Sequence, residues 1–323
     1  MNPKAFFLAL FLALGMSLMG LGGCKHQAPP PPPPVPTPIP AAPAGSVVFI
    51  ERGHLVRLDL ATNQTVPLTS GQSAEWFPSC SPDGSQVAYW SNWDPTGTGH
   101  GVYNLWKRNL DGQNPVQLTF NESNSLGTNE QNLLMNDAPS WSVDGKKILY
   151  TLGGDIWMID SDGYNPKTLL NGHSAMCPNL FPDGKSVLYL SNEDDSVYNL
   201  WTVELLEKTV KKITQYTDWS VGSPSLSADG KKILMNLYRG NTTQIFTLDA
   251  DGTNIVNLGS STHNLCPHFA MGDKRVVYCG WAASMDDGLN LFMINVNGTD
   301  NKTLSADFGS SPSWAPAHVV SAP

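Results

Sequence analysis

Residues 181–192 read FPDGKSVLYLSN, an Asp-Gly pair followed by a short apolar run, and the same pattern recurs along the chain. The five copies are PSCSPDGSQVAYWS (78–91), PSWSVDGKKILYT (139–151), PNLFPDGKSVLYLS (178–191), PSLSADGKKILMN (224–236) and PHFAMGDKRVVYC (267–279). Asp-Gly supplies the positive φ that a two-residue hairpin turn requires, and the flanking apolar runs have the length of strands. Each copy is therefore predicted to be a β-hairpin.

Each hairpin is followed by two further strands. The third strands are NLWKRNL (104–110), DIWMID (155–160), NLWTVEL (199–205), QIFTLDA (244–250) and NLFMINV (290–296), and short runs such as PVQLT (115–119) come fourth. The leading prolines Pro78, Pro139, Pro178, Pro224, Pro267 and Pro312 are 39 to 46 residues apart, except for 61 residues between the first two. This is the spacing of propeller blades made of four antiparallel strands, and the longer gap predicts an insertion.

The repeats predict an all-β fold, a six-bladed β-propeller over residues 46–316. The last copy, PSWAP (312–316), has no hairpin partner after it, whereas GSVVFIE (45–51) at the other end has no leading strand. We therefore expect the segment from Ser311 to Pro316 to be the inner strand of blade 1. The segment from Ser46 to Thr69 should supply its other three strands, because such closure removes exposed sheet edges.

The SPDG, Ile-Trp and Leu-Thr elements together resemble the PD-type repeats of the TolB-like propeller family, over essentially all of residues 46–316. The resemblance implies a propeller scaffold that binds other proteins. Two features depart from it. The mixed α/β domain that precedes the propeller in TolB is not found in this sequence, and blade 6 has Gly272-Asp273 where the other copies have Asp-Gly.

The N-terminal residues predict export and a lipid anchor. Residues 1–23 carry an early lysine and the apolar run AFFLALFLALGMSLM, which is typical of a signal peptide. The run ends in LGGC, which resembles the bacterial lipobox, so Cys24 is expected to carry acyl chains such as palmitate. Residues 24–45 are a proline-rich linker that can form neither helix nor sheet ladder. Residues 317–323 are assigned to a C-terminal tail.

Charge composition narrows the classes of partner. The chain has 28 acidic residues against 19 lysines and arginines, a formal net charge of −9. This balance argues against nucleic acid as a partner, and it leaves Cys24 as the predicted membrane attachment. No cofactor is predicted. The predicted location is the bacterial cell envelope, on the outer membrane and facing the periplasm, because Lys25 stands where inner-membrane lipoproteins of enteric bacteria have Asp.

Partner binding is predicted on the propeller face that holds the long connections. Tight turns should occupy one face, and the long segments 91–103, 120–137, 191–198, 215–223 and 280–288 the other. Acidic residues from Glu75 onward gather on that second face, with Arg239 nearly its only fixed cation. The candidate partner-binding residues are Trp93, Asp94, Asp194, Asp195, Trp219, Trp281, Asp286 and Asp287. The partner would be an envelope protein. A solvated acidic rim without a partner is the alternative, as is a glycan-binding or glycan-cleaving site at the channel mouth.

Enzyme chemistry is less favoured, and no catalytic residue is assigned. The chain has no Gly-x-Ser-x-Gly elbow. His173 and His263 precede Cys177-Pro178 and Cys266-Pro267 at similar positions, with His268 nearby, and channel histidines hold a metal in some propeller lyases. Two histidines are only weak metal candidates, so no metal site is predicted.

Four cysteines other than Cys24 are expected to be mostly buried free thiols: Cys80, Cys177, Cys266 and Cys279. Of these, Cys266 and Cys279 are the one pair that shares a hairpin.

Overall fold

The computed structural model describes residues 45–93, 102–121, 138–240, 242–259, 264–281, 289–305 and 309–317. Within these ranges every regular element is a strand, and no helix there could cross a membrane. The strands form six separate four-stranded sheets, each antiparallel throughout. This confirms the predicted six-bladed propeller.

Each blade runs from an inner strand at the centre of the propeller to an outer strand at its rim. From inside to outside, blade 1 contains β24 (Gly309–Ala315), β1 (Ser46–Glu51), β2 (His54–Asp59) and β3 (Gln64–Pro67). Blade 2 contains β4 (Glu75–Cys80), β5 (Gln86–Ser91), β6 (Asn104–Asn109) and β7 (Val116–Gln117). Blade 3 contains β8 (Ser140–Trp141), β9 (Lys147–Leu152), β10 (Asp155–Asp160) and β11 (Lys167–Leu170).

The other three blades follow the same order along the chain. Blade 4 contains β12 (Met176–Leu180), β13 (Ser186–Ser191), β14 (Asn199–Glu204) and β15 (Val210–Lys212). Blade 5 contains β16 (Ser220–Leu226), β17 (Lys232–Arg239), β18 (Thr242–Asp249) and β19 (Val256–Asn257). Blade 6 contains β20 (Asn264–Ala270), β21 (Arg275–Trp281), β22 (Leu289–Asn295) and β23 (Lys302–Ser305).

Two faces of the propeller follow from this order. The turn face carries the first-to-second and third-to-fourth strand turns, such as residues 81–85 and 110–115. The loop face carries the second-to-third connections and the crossings between blades, such as residues 191–199 and 214–219. The predicted insertion after blade 2 falls mostly on residues 122–137, which lie outside the described ranges.

The first hairpin turn of blades 2 to 5 is longer than predicted. In blade 2 the amide of Gly84 donates to the carbonyl of Ser81 at 2.9 Å, and the amide of Ser81 donates to the carbonyl of Gln86 at 2.9 Å. The loop therefore has four residues built around a hydrogen-bonded turn, with Gly84 following the turn at φ +69°. The glycine was correctly identified as the positive-φ residue, but a two-residue Asp-Gly hairpin was wrong. The Asp83 carboxylate instead accepts hydrogen bonds from Ser81 and Ser85.

The hydrophobic core consists of layers between neighbouring blades. One layer joins Val48, Ile50 and Leu55 of blade 1 to Val87 and Tyr89 of blade 2. Similar clusters lie between every other pair of adjacent blades, including blades 6 and 1. Both faces of each sheet are therefore buried, as the apolar strands predict.

Blade 1 is built from both ends of the propeller. In β24, Trp314 and Ser313 pair with Val47 and Val48 of β1, which confirms the predicted closure. The strand runs from Gly309 to Ala315 rather than from Ser311 to Pro316. Trp314 packs against a core cluster but stays half-buried.

Two buried arginines connect blade 1 to blade 2. Arg57 donates from Nη1 to the carbonyl of Leu110 at 2.7 Å. Arg108 donates to the carbonyl of Leu68 and, from Nε, to the Tyr89 hydroxyl at 3.2 Å. Burial lowers the pKa of Arg57. Each guanidinium thus satisfies a carbonyl of the neighbouring blade, which compensates for the removal of its charge from water.

Candidate functional site

A central cavity of about 530 Å³ lies where the inner strands of the blades meet. The residue before the leading proline lines this cavity in every blade: Phe77, Ala138, Cys177, Ser223, Cys266 and Ser311. Five of these six residues, all except Ala138, have φ between +43° and +51° and lie at a bulge. Left-handed backbone is strained for residues other than glycine. The bulge thus turns one side chain of each of these strands towards the cavity.

The residue after each leading proline forms a second, polar ring. We call this set the post-proline ring, and its members are Ser79, Ser140, Asn179, Ser225, His268 and Ser313. Asn179 donates to the carbonyl of Pro224 at 3.1 Å, and Ser140 donates to the carbonyl of Pro178. Ser313 accepts from the amide of Cys80 at 3.0 Å. These side chains therefore join the inner strand of one blade to that of the next.

The cavity extends sideways on the loop face into a groove between blades 4 and 5. The blade 4–5 groove is lined by Met176, Leu190, Asn192, Ser196, Tyr198, Ser220, Val221 and Tyr238. Its walls are connected, because the amide of Tyr198 donates to the Ser220 hydroxyl at 2.9 Å and the amide of Val221 donates to the Tyr198 carbonyl at 2.9 Å. Burial raises the pKa of Tyr238 to about 12, so its hydroxyl stays neutral.

Three of the predicted partner-binding residues flank this groove. Asp194 and Asp195 lie in the connection between the groove residues Asn192 and Ser196, and Trp219 directly precedes Ser220. Asp194 is exposed. Trp219 is half-buried beneath Arg239, whose guanidinium lies 6.0 Å from the ring centroid, and Arg239 also lies 3.8 Å from Asp218. Asp195 pairs with Lys212 and accepts from Asn199 at 3.2 Å, so its carboxylate is already occupied.

Other predicted surface residues are placed differently. Trp281 is buried, with 8% of its surface exposed, so it has little area to offer a partner. Trp93 is half-buried against Trp106, with ring centroids 4.8 Å apart in blade 2, away from the groove. Asp94, Asp286 and Asp287 lie outside the described residues, as does Cys24.

Glu75 does not belong to the acidic surface. It is buried, with 1% exposed, and accepts from the hydroxyls of Thr69, Ser73 and Ser91 at 2.7, 2.6 and 3.1 Å. The Nδ1 atom of His54 lies 3.1 Å away. Glu75 therefore joins blade 1 to blade 2 and is not a solvated charge.

The loop face also carries more cations than predicted. Arg52 is exposed in the turn between β1 and β2, and Lys212 ends β15 beside Asp195. Arg239 is therefore not nearly the only fixed cation on this face.

The weak metal candidates do not come together at the cavity. His173 is not among the cavity-lining residues; its Nδ1 atom lies 2.8 Å from a carboxylate oxygen of Glu193 on the loop face. His263 lies outside the described residues. His268 does line the cavity, and its Nδ1 atom donates to the carbonyl of Phe269 at 2.8 Å. Among the residues that the structure describes, no group of three or more His, Cys, Asp or Glu side chains could hold a metal.

All four described cysteines are free thiols, but only Cys279 is fully buried; the other three are half-buried. Burial raises the pKa of Cys80 to about 12. Cys266 lines the cavity close to Ser223, Ser311 and the buried Cys279, whose thiol donates to the carbonyl of Leu265 at 3.5 Å. These contacts lower the pKa of Cys266, whereas the contact with Cys266 and burial raise the pKa of Cys279.

The repeat pattern of this fold matches a known family. The family described as the TolB β-propeller domain (PD40) matches residues 128–318, more than half of the chain. The chain belongs to the TolB β-propeller domain family. This confirms the resemblance that the SPDG, Ile-Trp and Leu-Thr elements carry.

Individual relatives of this TolB-like propeller match only in part. An uncharacterised protein of Agrobacterium fabrum is 24% identical over 172 residues, which is 50% of this chain and 58% of the relative. The Tol-Pal system protein TolB of Francisella tularensis is 32% identical over 113 residues, 34% of this chain and 24% of the relative. The chain thus spans less than two thirds of either relative. The crystal structure of TolB from Acinetobacter baumannii superposes with a TM-score of 0.68 at 21% identity, covering 86% of this chain and 68% of that one.

Sequence reasoning did not identify the groove or the two rings around the cavity. A signal for the rings was present, because Ser or Asn follows the leading proline in five of the six copies. No comparable sequence pattern marks the residues of the groove. Tyr198 and Tyr238 are far apart in sequence and meet only because blades 4 and 5 are adjacent.

Proposed function

We propose that this protein is a lipoprotein of the bacterial cell envelope whose TolB-like propeller binds another envelope protein through its loop face. The observation that carries the proposal is the blade 4–5 groove. It is concave, continuous with the central cavity, lined by Met176, Tyr198 and Tyr238, and flanked by Asp194 and Trp219. An apolar, aromatic pocket with a polar rim is the usual setting for an anchor side chain of a partner.

The charges around the groove add selectivity to this site. Asp194 is exposed at the rim, whereas Asp195 and Asp218 are each paired with a cation, Lys212 and Arg239. A partner with basic residues beside an apolar anchor would complement this rim. The Francisella relative is named as a protein of the Tol-Pal system, a name that supports a role among other proteins rather than as an isolated enzyme.

A site-specific crosslinking experiment tests the partner-binding proposal. A photoreactive amino acid replaces Ser196 in the groove, or Lys185 on the turn face as the matched control, and crosslinked products from intact cells are identified by mass spectrometry. We expect one defined adduct from position 196, absent from position 185 and lost when Trp219→Ala is added. Adducts of equal yield from both positions would contradict the proposal.

The captured partner then allows binding to be measured directly. Trp219→Ala should weaken binding about thirtyfold, because an interface anchor is worth about 2 kcal/mol. Asp194→Lys should slow association in a salt-dependent way, whereas Lys146→Glu, Lys185→Glu and Lys231→Glu on the turn face should have no effect. A glycan ligand would respond to Trp219→Ala but hardly to Asp194→Lys, so the same variants distinguish the two classes of ligand.

The lipid anchor is proposed at Cys24, on the outer membrane and facing the periplasm. The LGGC motif supports acylation there, and the proline-rich linker would hold the propeller at most roughly 50 Å from the bilayer. Cys24→Ala should remove the acyl chains from the purified protein, as read by mass spectrometry, and release it from membranes or block its processing. Unchanged acylation and membrane fractionation in this variant would contradict the anchor.

A further inference from the structure

Among the residues that the structure describes, most of the exposed large apolar side chains lie on the turn face. Five of those in blades 3 to 6 are Val143 (55% exposed), Tyr164 (69%), Leu206 (92%), Ile255 (49%) and Met271 (39%), and Val256, next to Ile255, is 48% exposed. All five lie in or next to the turns between strands, so they project from one face of four consecutive blades. On the opposite face, among the described residues, Phe120 is the large apolar side chain with comparable exposure, at 77%. Several exposed apolar side chains on one face make that face a candidate interaction surface.

The point where the chain enters the propeller lies on the same face. Gly45 precedes β1, which runs from the turn face to the loop face. The linker therefore joins the propeller at the turn face. With a tether of this length, the local concentration of bilayer surface is high, so that weak individual contacts are enough for docking.

The turn face carries charges of both signs. Exposed lysines follow the turns of the turn face and are accompanied there by the aspartates of the same turns; they include Lys146, Lys185, Lys208, Lys231 and Lys274. Long lysine side chains can extend past apolar neighbours towards lipid headgroups.

We propose that the turn face docks on the surface of the bilayer that holds the chain's own lipid anchor. Five apolar side chains enter the interfacial region of the bilayer: Leu206, Tyr164, Val143, Ile255 and Met271. Tyrosine is favoured in this region because one end of its ring is apolar and the other is polar. The blade 4–5 groove then faces away from the membrane, open to a partner. This inference rests on the lipid anchor of the proposed function.

Fluorescence quenching in vesicles tests the docking. The purified, acylated full-length protein is reconstituted into vesicles of phosphatidylethanolamine and phosphatidylglycerol that contain headgroup-nitroxide lipids. An environment-sensitive fluorescent amino acid replaces Leu206 in one variant and Phe120, the matched apolar residue of the loop face, in the other. We expect several-fold stronger quenching at position 206 than at position 120.

A second pair of proteins shows whether the apolar side chains cause the docking. With the fluorescent residue at position 255, adding Leu206→Ser and Tyr164→Ser should abolish the quenching, whereas adding Phe120→Ser should leave it unchanged. Equal quenching at positions 206 and 120 would overturn the docking. Flotation separates the two proposals: a protein that floats with vesicles but is not quenched at position 206 refutes docking alone, and one that does not float refutes the anchor and the docking with it.

Discussion

Gly45 lies directly against the indole of Trp314, so that a Cβ atom at position 45 would be 2.4 Å from Cη2 of the ring. The two residues are at opposite ends of the propeller sequence and meet because β24 pairs with β1. The glycine also has φ +88°, which other residues rarely adopt. This contact is therefore a direct test of the closure of blade 1.

Gly45→Ala should destabilise the propeller by about 2 kcal/mol more than the matched control Gly53→Ala. Gly53 has a similar φ of +84° but nothing within 4 Å of the added Cβ, so the control carries the backbone strain without the clash. Denaturant unfolding measures the difference. Trp314→Leu should relieve part of the cost of Gly45→Ala in a double-mutant cycle. Equal costs for the two glycine variants would show that the ends do not pack as described.

Arg108→Met should destabilise the fold by about 3 kcal/mol, because it leaves the buried carbonyl of Leu68 and the hydroxyl of Tyr89 without their donor. The exposed Arg52→Met is the control and should change stability by less than about 0.5 kcal/mol. Thermal and denaturant unfolding give both values. Similar stabilities for the two variants would show that Arg108 does not stabilise the contact between blades 1 and 2.

Glu75→Ala should cost about 3 kcal/mol, since the three hydroxyls that donate to the buried carboxylate lose their acceptor. Glu75→Gln retains the shape of the side chain and one acceptor, so we expect a smaller loss. Asp194→Ala on the same face is the control, and its effect on unfolding should be small. If Glu75→Ala weakened partner capture without reducing stability, Glu75 would belong to the binding surface after all.

His268 should make the fold less stable as the pH falls below about 6.5. Burial lowers the pKa of His268 from its usual 6.5, although the hydrogen bond to the Phe269 carbonyl and the charge of Asp273 act in the opposite direction. Protonation is therefore easier in the unfolded chain than in the folded one. The stability is therefore complete above pH 6.5 and is lost as the pH falls from there towards the lower folded pKa.

His268→Asn, which copies Asn179 at the equivalent position of blade 4, should remove this part of the pH dependence. The melting temperature of both proteins between pH 7 and pH 5 measures the effect. If the melting temperature depended on pH equally in both proteins, the protonation of His268 would not be coupled to unfolding. The aspartates of the turns, such as Asp144 and Asp229, have lowered pKa values and so affect stability only at more acidic pH.

The blade count, the strand order and the closure could be predicted because each depends on a local signal that is repeated. Gly84 and its counterparts were recognisable as positive-φ residues, but the length of the turn was not, because the Ser81 hydroxyl takes the place of a backbone acceptor. Glu75 and Trp281 were misplaced for a related reason. Position in a connection predicts exposure only on average, and the contacts that bury these two side chains depend on which blades are neighbours.

The pairing of β1 also has a mechanical consequence. This strand follows residue 45 directly and is hydrogen-bonded to β24 on one side and β2 on the other over nearly all of its length. A pulling force applied at residue 45 and resisted at the loop face would run along the strand. The force would act in shear on all the hydrogen bonds to β24 and β2 together, instead of opening them one after another. The fold thus puts its first strand, where any tether pulls, at a position that resists extraction from the sheet.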